Sequence, residues 1–183
     1  MMTTNNLHAV YLLAGSNMGD RAGFLRAATR ALEDALGVLC AESSILETEP
    51  WGFSAPTFFL NRVLFFLTPL SPLEVLEAAR RIENENGRIR PENGGYASRT
   101  LDIDILFYDD AAIDLPELQI PHPRLHERGF ALALMREVAP LLVHPTLNLT
   151  MERLFENFIE KNNSCWFINS EEPRSTLPKS STI

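Results

Sequence analysis

Lysine is almost missing from this chain. Of its 16 basic residues 14 are arginine, and the two lysines, Lys161 and Lys179, lie near the C-terminal end. Cysteine is scarce too. Cys40 and Cys165 stand far apart in no metal-ligand spacing, so no zinc site and no disulfide framework can be read from them. The leading apolar run, Ala9–Ala14, is too short to span a bilayer, and no Lys or Arg precedes it as in a signal peptide. It reads as a buried first strand, and a cytoplasmic location is expected. Positive net charge is lacking as well: the formal charge is −8. That disfavours nucleic acid and anionic membrane as partners. Neither Gly-x-x-x-x-Gly-Lys nor Gly-x-Gly-x-x-Gly occurs, and Gly15-Ser16-Asn17 resembles a phosphate loop only weakly. Any nucleotide must then be held by arginine side chains and metal.

What is present suits one folded unit. The chain has 183 residues, 45% of them hydrophobic, enough for one core. We expect a single domain over 1–160, a polar tail over 161–183 in which Trp166 and Phe167 are possible anchors, and a monomer. Val10–Ala14 predicts a strand ending in a turn at Gly15-Ser16-Asn17. Asp20 caps a helix that Gly37 stops. A strand over Val38–Leu46 follows, then a loop Glu47–Pro56. Phe58–Leu67 is a strand with Phe59, Asn61, Val63 and Phe65 on one face. Ser71-Pro72-Leu73-Glu74 is a capping box opening a helix that Gly87 ends. Arg88–Ser98 is a polar loop, Thr100–Tyr108 a strand, and Ile113 and Leu118–Ile120 form a short pair. A last long helix is expected over Glu127–Ala139. The order β-α-β-β-α-β predicts an α+β, ferredoxin-like fold with a mostly antiparallel sheet and helices packed on a face.

The chemistry concentrates around Arg99–Ile105. Alternation sends Leu101, Ile103, Ile105 and Phe107 to the core and aims Asp102 and Asp104 together at the other face, with Cβ atoms roughly 6–7 Å apart. Two carboxylates that close repel unless a cation lies between them, and hard oxygens suit Mg²⁺. A solvated strand face is the alternative, although aspartate is a poor strand former. Five arginines (Arg80, Arg81, Arg88, Arg90 and Arg99) fall within residues 80–99. Arg88, Arg90 and Arg99 bracket the carboxylate pair like a triphosphate clamp, and Gly94-Gly95 would let the loop between them move. His122 lies between Pro121 and Pro123, so it cannot form a helical metal pair with His126, but Arg124 and Arg128 make it a candidate phosphate contact. Asn61, an amide on an apolar face, needs partners if buried, and a flat heterocycle with a 2-amino-4-oxo edge would supply them.

Several ordered motifs carry a resemblance over residues 9 to 155. They are Ala14-Gly15-Ser16-Asn17, Thr48-Glu49-Pro50-Trp51-Gly52, Phe59-Leu60-Asn61, Ile82-Glu83 with Gly87-Arg88, the Arg99–Ile105 run, Ile120-Pro121-His122-Pro123-Arg124 and Arg128-Gly129-Phe130. In this order the chain resembles the 6-hydroxymethyl-7,8-dihydropterin pyrophosphokinase family of folate biosynthesis. The resemblance implies transfer of pyrophosphate from ATP to the hydroxymethyl-dihydropterin, with release of AMP. It implies that Asp102 and Asp104 each contact two Mg²⁺ ions. Phe59 and Phe130 would sandwich the pterin, Asn61 would bond its polar edge, and Thr48 and the backbone of Glu49–Trp51, Trp51 included, would help. Glu83, Arg90, Arg99, His122 and Arg128 would meet ATP, with Arg88 and Arg99 stabilising the transferred phosphates. Glu49–Pro56 and Pro91–Ser98 would be closing loops. Three positions depart from the family: Tyr96 where tryptophan is frequent, Glu117 where a basic residue is frequent, and Arg80 where glutamine can stand. Two other readings compete: a different Mg²⁺-dependent nucleotidyl- or phosphotransferase, and a non-catalytic binding module on the same fold.

Overall fold

β1 (His8–Ser16) is apolar on both faces rather than alternating, which marks a strand covered from both sides. The computed structural model, which describes residues 7–89 and 97–162, places it inside the sheet. β1 is followed by α1 (Arg21–Leu36), β2 (Val38–Glu42), β3 (Leu46–Thr48), β4 (Phe59–Thr68), α2 (Pro72–Glu85) and β5 (Asp102–Tyr108). The sheet runs β2-β4-β1-β5 with antiparallel neighbours, and β3 also pairs with β4. This is the ferredoxin-like order expected. A two-stranded ribbon, β6 (Ile113–Leu115) and β7 (Leu118–Ile120), stands beside it.

The helix signals act as read. Asp20 accepts the Gly23 N–H at 2.9 Å, and Ser71 and Glu74 form the reciprocal box at the start of α2. Elsewhere the boundaries differ. β1 runs on through Gly15 and Ser16, so the turn begins at Asn17. The expected strand Val38–Leu46 is two strands. Between them the Ser43 hydroxyl accepts the Val63 N–H at 2.9 Å, and Ser44 is bonded through its N–H and hydroxyl to Glu137, which interrupts the ladder. The helix expected over Glu127–Ala139 is a 3₁₀ turn, Leu125–Glu127, followed by α3 (Gly129–Val138). A further helix, α4 (Met151–Asn162), has no counterpart in the expectations and runs past the assumed start of the tail.

Two cores result, one on each face of the sheet. α1 and α2 cover Leu12, Leu64, Phe66 and Ile103 with Leu25, Leu32 and Ile82. α3 and α4 cover Tyr11, Val63 and Phe107 with Leu132, Leu134, Met151 and Leu154. Each such apolar side chain, once fully buried, contributes about 1.5–3 kcal/mol. The expected alternation fails at one point. The β1–β5 register passes from Tyr11↔Phe107 to Leu12↔Ile105, so Leu106 is an extra residue. This bulge turns Phe107 into the second core instead of the first. Cys40 is exposed with a free thiol, and among the described residues no helix is long and apolar enough to cross a membrane. Arg90, Tyr96, Gly94-Gly95, Cys165, Trp166, Phe167 and the tail from 163 lie outside the described residues.

Candidate active site

The sheet topology brings the end of β1 and the starts of β4 and β5 to one edge. Gly15 pairs with Asn61 on one side and Asp102 on the other. A Cβ on Gly15 would lie 2.9 Å from Asn61 Oδ1 and 3.5 Å from the Phe59 ring, so any larger side chain there must displace the Asn61 amide. Above it opens a cleft of about 430 Å³ lined by Thr48, Trp51, Phe53, Phe59, Asn61 and Phe130 on its apolar side and by Arg99, Asp102, Asp104 and Arg128 on its charged side. Asn61 is 5% exposed and donates from Nδ2 to the Thr48 hydroxyl at 2.8 Å. Phe53 meets Phe59 edge-on at 6.2 Å. The Arg128 and Arg124 guanidiniums lie 5.1 and 5.7 Å from the Trp51 ring centre.

Asp102 and Asp104 do share a face, and each is met by cations. Arg88 Nη1 and Arg99 Nη2 stand 2.5 and 2.8 Å from the Asp102 carboxylate. Arg128 Nη1 donates to Asp104 at 2.8 Å, with His122 Nε2 at 3.7 Å. The Arg124 N–H donates to His122 Nδ1 at 3.1 Å, which leaves the Nε2 side toward Asp104. Burial and the neighbouring Asp104 charge push Asp102 above its ordinary value, against Arg99 and Arg88. Burial works the same way on Asp104, but His122 and Arg128 overcome it and hold that carboxyl below its ordinary value. Burial keeps His122 below the ordinary imidazole value despite Asp104. Two adjacent acids whose environments drive them apart are the pattern of a functional cleft.

A second cleft, about 570 Å³, opens on the other side of Asp104. Leu76, Ile105, Leu118, Gln119, His122 and Pro123 contribute to its walls, with Glu117 at its edge. Asp104 thus lines both spaces.

The chain matches the family model of 7,8-dihydro-6-hydroxymethylpterin-pyrophosphokinase over residues 11–140. It belongs to that family. A Porphyromonas gingivalis 2-amino-4-hydroxy-6-hydroxymethyldihydropteridine pyrophosphokinase is 44% identical over 138 residues, 74% of this chain and 93% of that protein. The Bacillus subtilis protein of the same name is 42% identical over 73% of this chain and 78% of its own length. Among solved structures, an HPPK-DHPS in complex with substrates superposes with a TM-score of 0.72 at 15% identity, over 85% of this chain and 44% of that longer one. That last likeness concerns the fold.

Against this pyrophosphokinase framework most of the expected residues converge. Thr48, Trp51, Phe59, Asn61 and Phe130 line the aromatic cleft, Arg99, Asp102, Asp104 and Arg128 its charged wall, and His122 the second cleft. Arg90 lies outside the described residues. Glu83 does not face either cleft. It is 2% exposed, accepts the Ile103 N–H at 2.8 Å and pairs with Arg88, so it braces Arg88 and β5 from behind. Arg88 is turned to Asp102 and Glu83. Arg80 donates at 3.4 Å to the carbonyl of Glu117, which ties these two departures from the family together. Phe53 and Leu76 escaped the sequence reading. Phe53 sits in a loop without periodicity, and Leu76 looked like one more apolar helix residue. Among the described residues no three His, Cys, Asp or Glu side chains gather to hold a metal by themselves. Two carboxylates on one strand fit a hard divalent cation that brings its own waters and phosphate oxygens.

Proposed function

We propose that this chain transfers pyrophosphate from ATP to 6-hydroxymethyl-7,8-dihydropterin and releases AMP, the activity named for its relatives. The observation that carries the reading is that Asp104 lines both an aromatic cleft and a second, partly apolar cleft. The aromatic cleft takes the pterin, with Phe59 and Phe130 against its faces and Asn61, backed by Thr48, on its polar edge. The second cleft takes the nucleotide, with Leu76, Ile105 and Leu118 against the base and His122 near the phosphates. The hydroxymethyl oxygen then bonds to the β-phosphorus in line, the bond from that phosphorus to the bridging oxygen breaks, AMP leaves with that oxygen, and the hydroxyl proton passes to solvent. Arg88, Arg99 and Arg128 supply fixed positive charge at the junction, and the shape of the two clefts supplies orientation. Asp102 and Asp104 would hold two Mg²⁺ ions, which would offset phosphate charge and act as Lewis acids on the transferred group. Arg90 joins the nucleotide contacts on family grounds. We read the chain through the end of α4 at Asn162 as one catalytic domain acting as a cytoplasmic monomer. Incubation with ATP, Mg²⁺ and the hydroxymethyl-dihydropterin, followed by separation of AMP from ADP, tests the reading. Stoichiometric AMP supports it, and ADP or no product rejects it.

A further inference from the structure

Asn17 lies outside both clefts, yet it is fully buried and all its polar groups are engaged. Its Oδ1 accepts the Arg99 N–H at 2.8 Å, and its N–H donates to the Arg99 carbonyl at 3.2 Å. Its Nδ2 donates to the Ser98 hydroxyl at 3.0 Å and lies 3.5 Å from the Thr57 carbonyl. Its own carbonyl accepts from the Thr57 hydroxyl at 2.6 Å. One residue therefore joins Thr57, at the end of the Trp51- and Phe53-bearing segment, to Ser98 and Arg99, at the entry to β5. Arg99 in turn contacts Asp102 at 2.8 Å and lies 5.2 Å from the Phe59 ring centre. Four residues on, Arg21 clips only the first of these segments, donating to Glu47 at 2.6 Å and to the Phe58 carbonyl at 2.7 Å.

We propose that Asn17 is a positioning residue that couples the pterin side of the site to the phosphate side, by fixing Thr57 and Arg99 against each other. Neither substrate touches it. It acts because Phe59 follows Thr57 by two residues and Arg99 precedes Asp102 by three, so a shift at either anchor is carried to the other wall. Removing the side chain leaves the Arg99 N–H without its acceptor and frees the segment end from β5. Arg21 holds the pterin-side segment alone, which makes it the control.

The inference rests on the pyrophosphokinase reading, and its test is separate from the AMP assay on the unaltered chain. Affinity for the hydroxymethyl-dihydropterin is measured on the full chain with and without Mg²⁺ and α,β-methylene-ATP, and the ratio of the two constants reports coupling. In Asn17→Ala both ligands weaken and the ratio falls at least about fivefold, the lower end of ordinary site-to-site coupling. In Arg21→Gln pterin weakens while the ratio is kept. Should Asn17→Ala not fold, Thr57→Val, at an exposed position, deletes one bond to Asn17; it lowers the ratio, and Thr57→Ser restores it. An unaltered chain with a ratio of one, a folded Asn17→Ala with the original ratio, or Thr57→Val indistinguishable from the unaltered chain overturns the proposal. A chain that releases no AMP rejects the reaction instead.

Discussion

Replacing Gly15 by alanine should damage one substrate site and spare the other. The new Cβ would stand 2.9 Å from Asn61 Oδ1, and ordinary contact begins near 3.4 Å, so the oxygen must retreat by about 0.5 Å. It has little room to do so, since Asn61 is 5% exposed and its Nδ2 is bonded to Thr48 at 2.8 Å. Loosening that bond loses about 1 kcal/mol, and the overpacked floor adds roughly 1–3 kcal/mol of strain. If only 1.4 kcal/mol of this falls on the bound complex, pterin affinity drops about tenfold. Titration with the pterin should show that loss, while affinity for the nucleotide, which we place in the cleft lined by Leu76, Leu118 and His122, should hold. A double-mutant cycle sharpens the test. In an Asn61→Ala background the clashing oxygen is gone, so Gly15→Ala should add little, with an interaction energy of about 1 kcal/mol. Wild-type pterin affinity in Gly15→Ala, or strict additivity with Asn61→Ala, would refute the placement of Asn61 on the floor of the pterin cleft.

Three further outcomes follow from the same geometry. Asp104→Ala should keep the circular dichroism of the parent but lose about a thousandfold in turnover, several kcal/mol of transition-state stabilisation; near-parental turnover would remove Asp104 from the chemistry. Glu83→Ala should lower the unfolding free energy in urea by about 3 kcal/mol, the low end for a broken buried pair because Arg88 keeps Asp102; an unchanged midpoint would mean that Glu83 braces nothing. His144 is 4% exposed, edge-on to Phe107 at 5.4 Å, and burial, aided by His126, holds its imidazole below the ordinary 6.5. The unfolded chain therefore binds the proton first, so the stability His144 contributes is complete above pH 6.5 and declines as pH falls below it. Unfolding curves between pH 7.5 and 5 should be flatter for His144→Gln than for the parent, and parallel curves would reject the assignment.

Much of the fold was readable because its signals are local. The Ser71 box, the Asp20 cap, the Gly37 stop and the period-two run from Phe59 to Phe65 each arise within a few residues, and each stands where the pattern placed it. The misses come from contacts distant in the chain. Nothing near Leu106 announces a bulge; it appears only when β5 is laid against β1. Ser43 and Ser44 end β2 because Val63 and Glu137 are there to bond them. α4 carries an apolar stripe of Met151, Leu154, Phe155 and Phe158, but its polar neighbours lead directly into a polar tail, and its burial depends on α3. Pairing of Asp102 with Asp104 was legible from strand alternation, whereas the inward turn of Glu83 was not, since helical periodicity does not tell a buried acid from a ligand contact.

The bulge and the site are linked. Asp102 and Asp104 occupy the regular half of β5, where period two keeps both carboxylates on one face, and the extra residue comes only after Ile105. Had it come three residues earlier, at Ile103, Asp104 would have been rotated toward the α1–α2 core, away from Asp102 and from Arg128. Placed at Leu106, it redirects Phe107 under α3 and leaves the Leu106 carbonyl to accept the His122 N–H at 3.0 Å. That bond fixes the segment whose imidazole faces Asp104. A local fault in the ladder therefore aims the second wall of the site while leaving the paired acids in register.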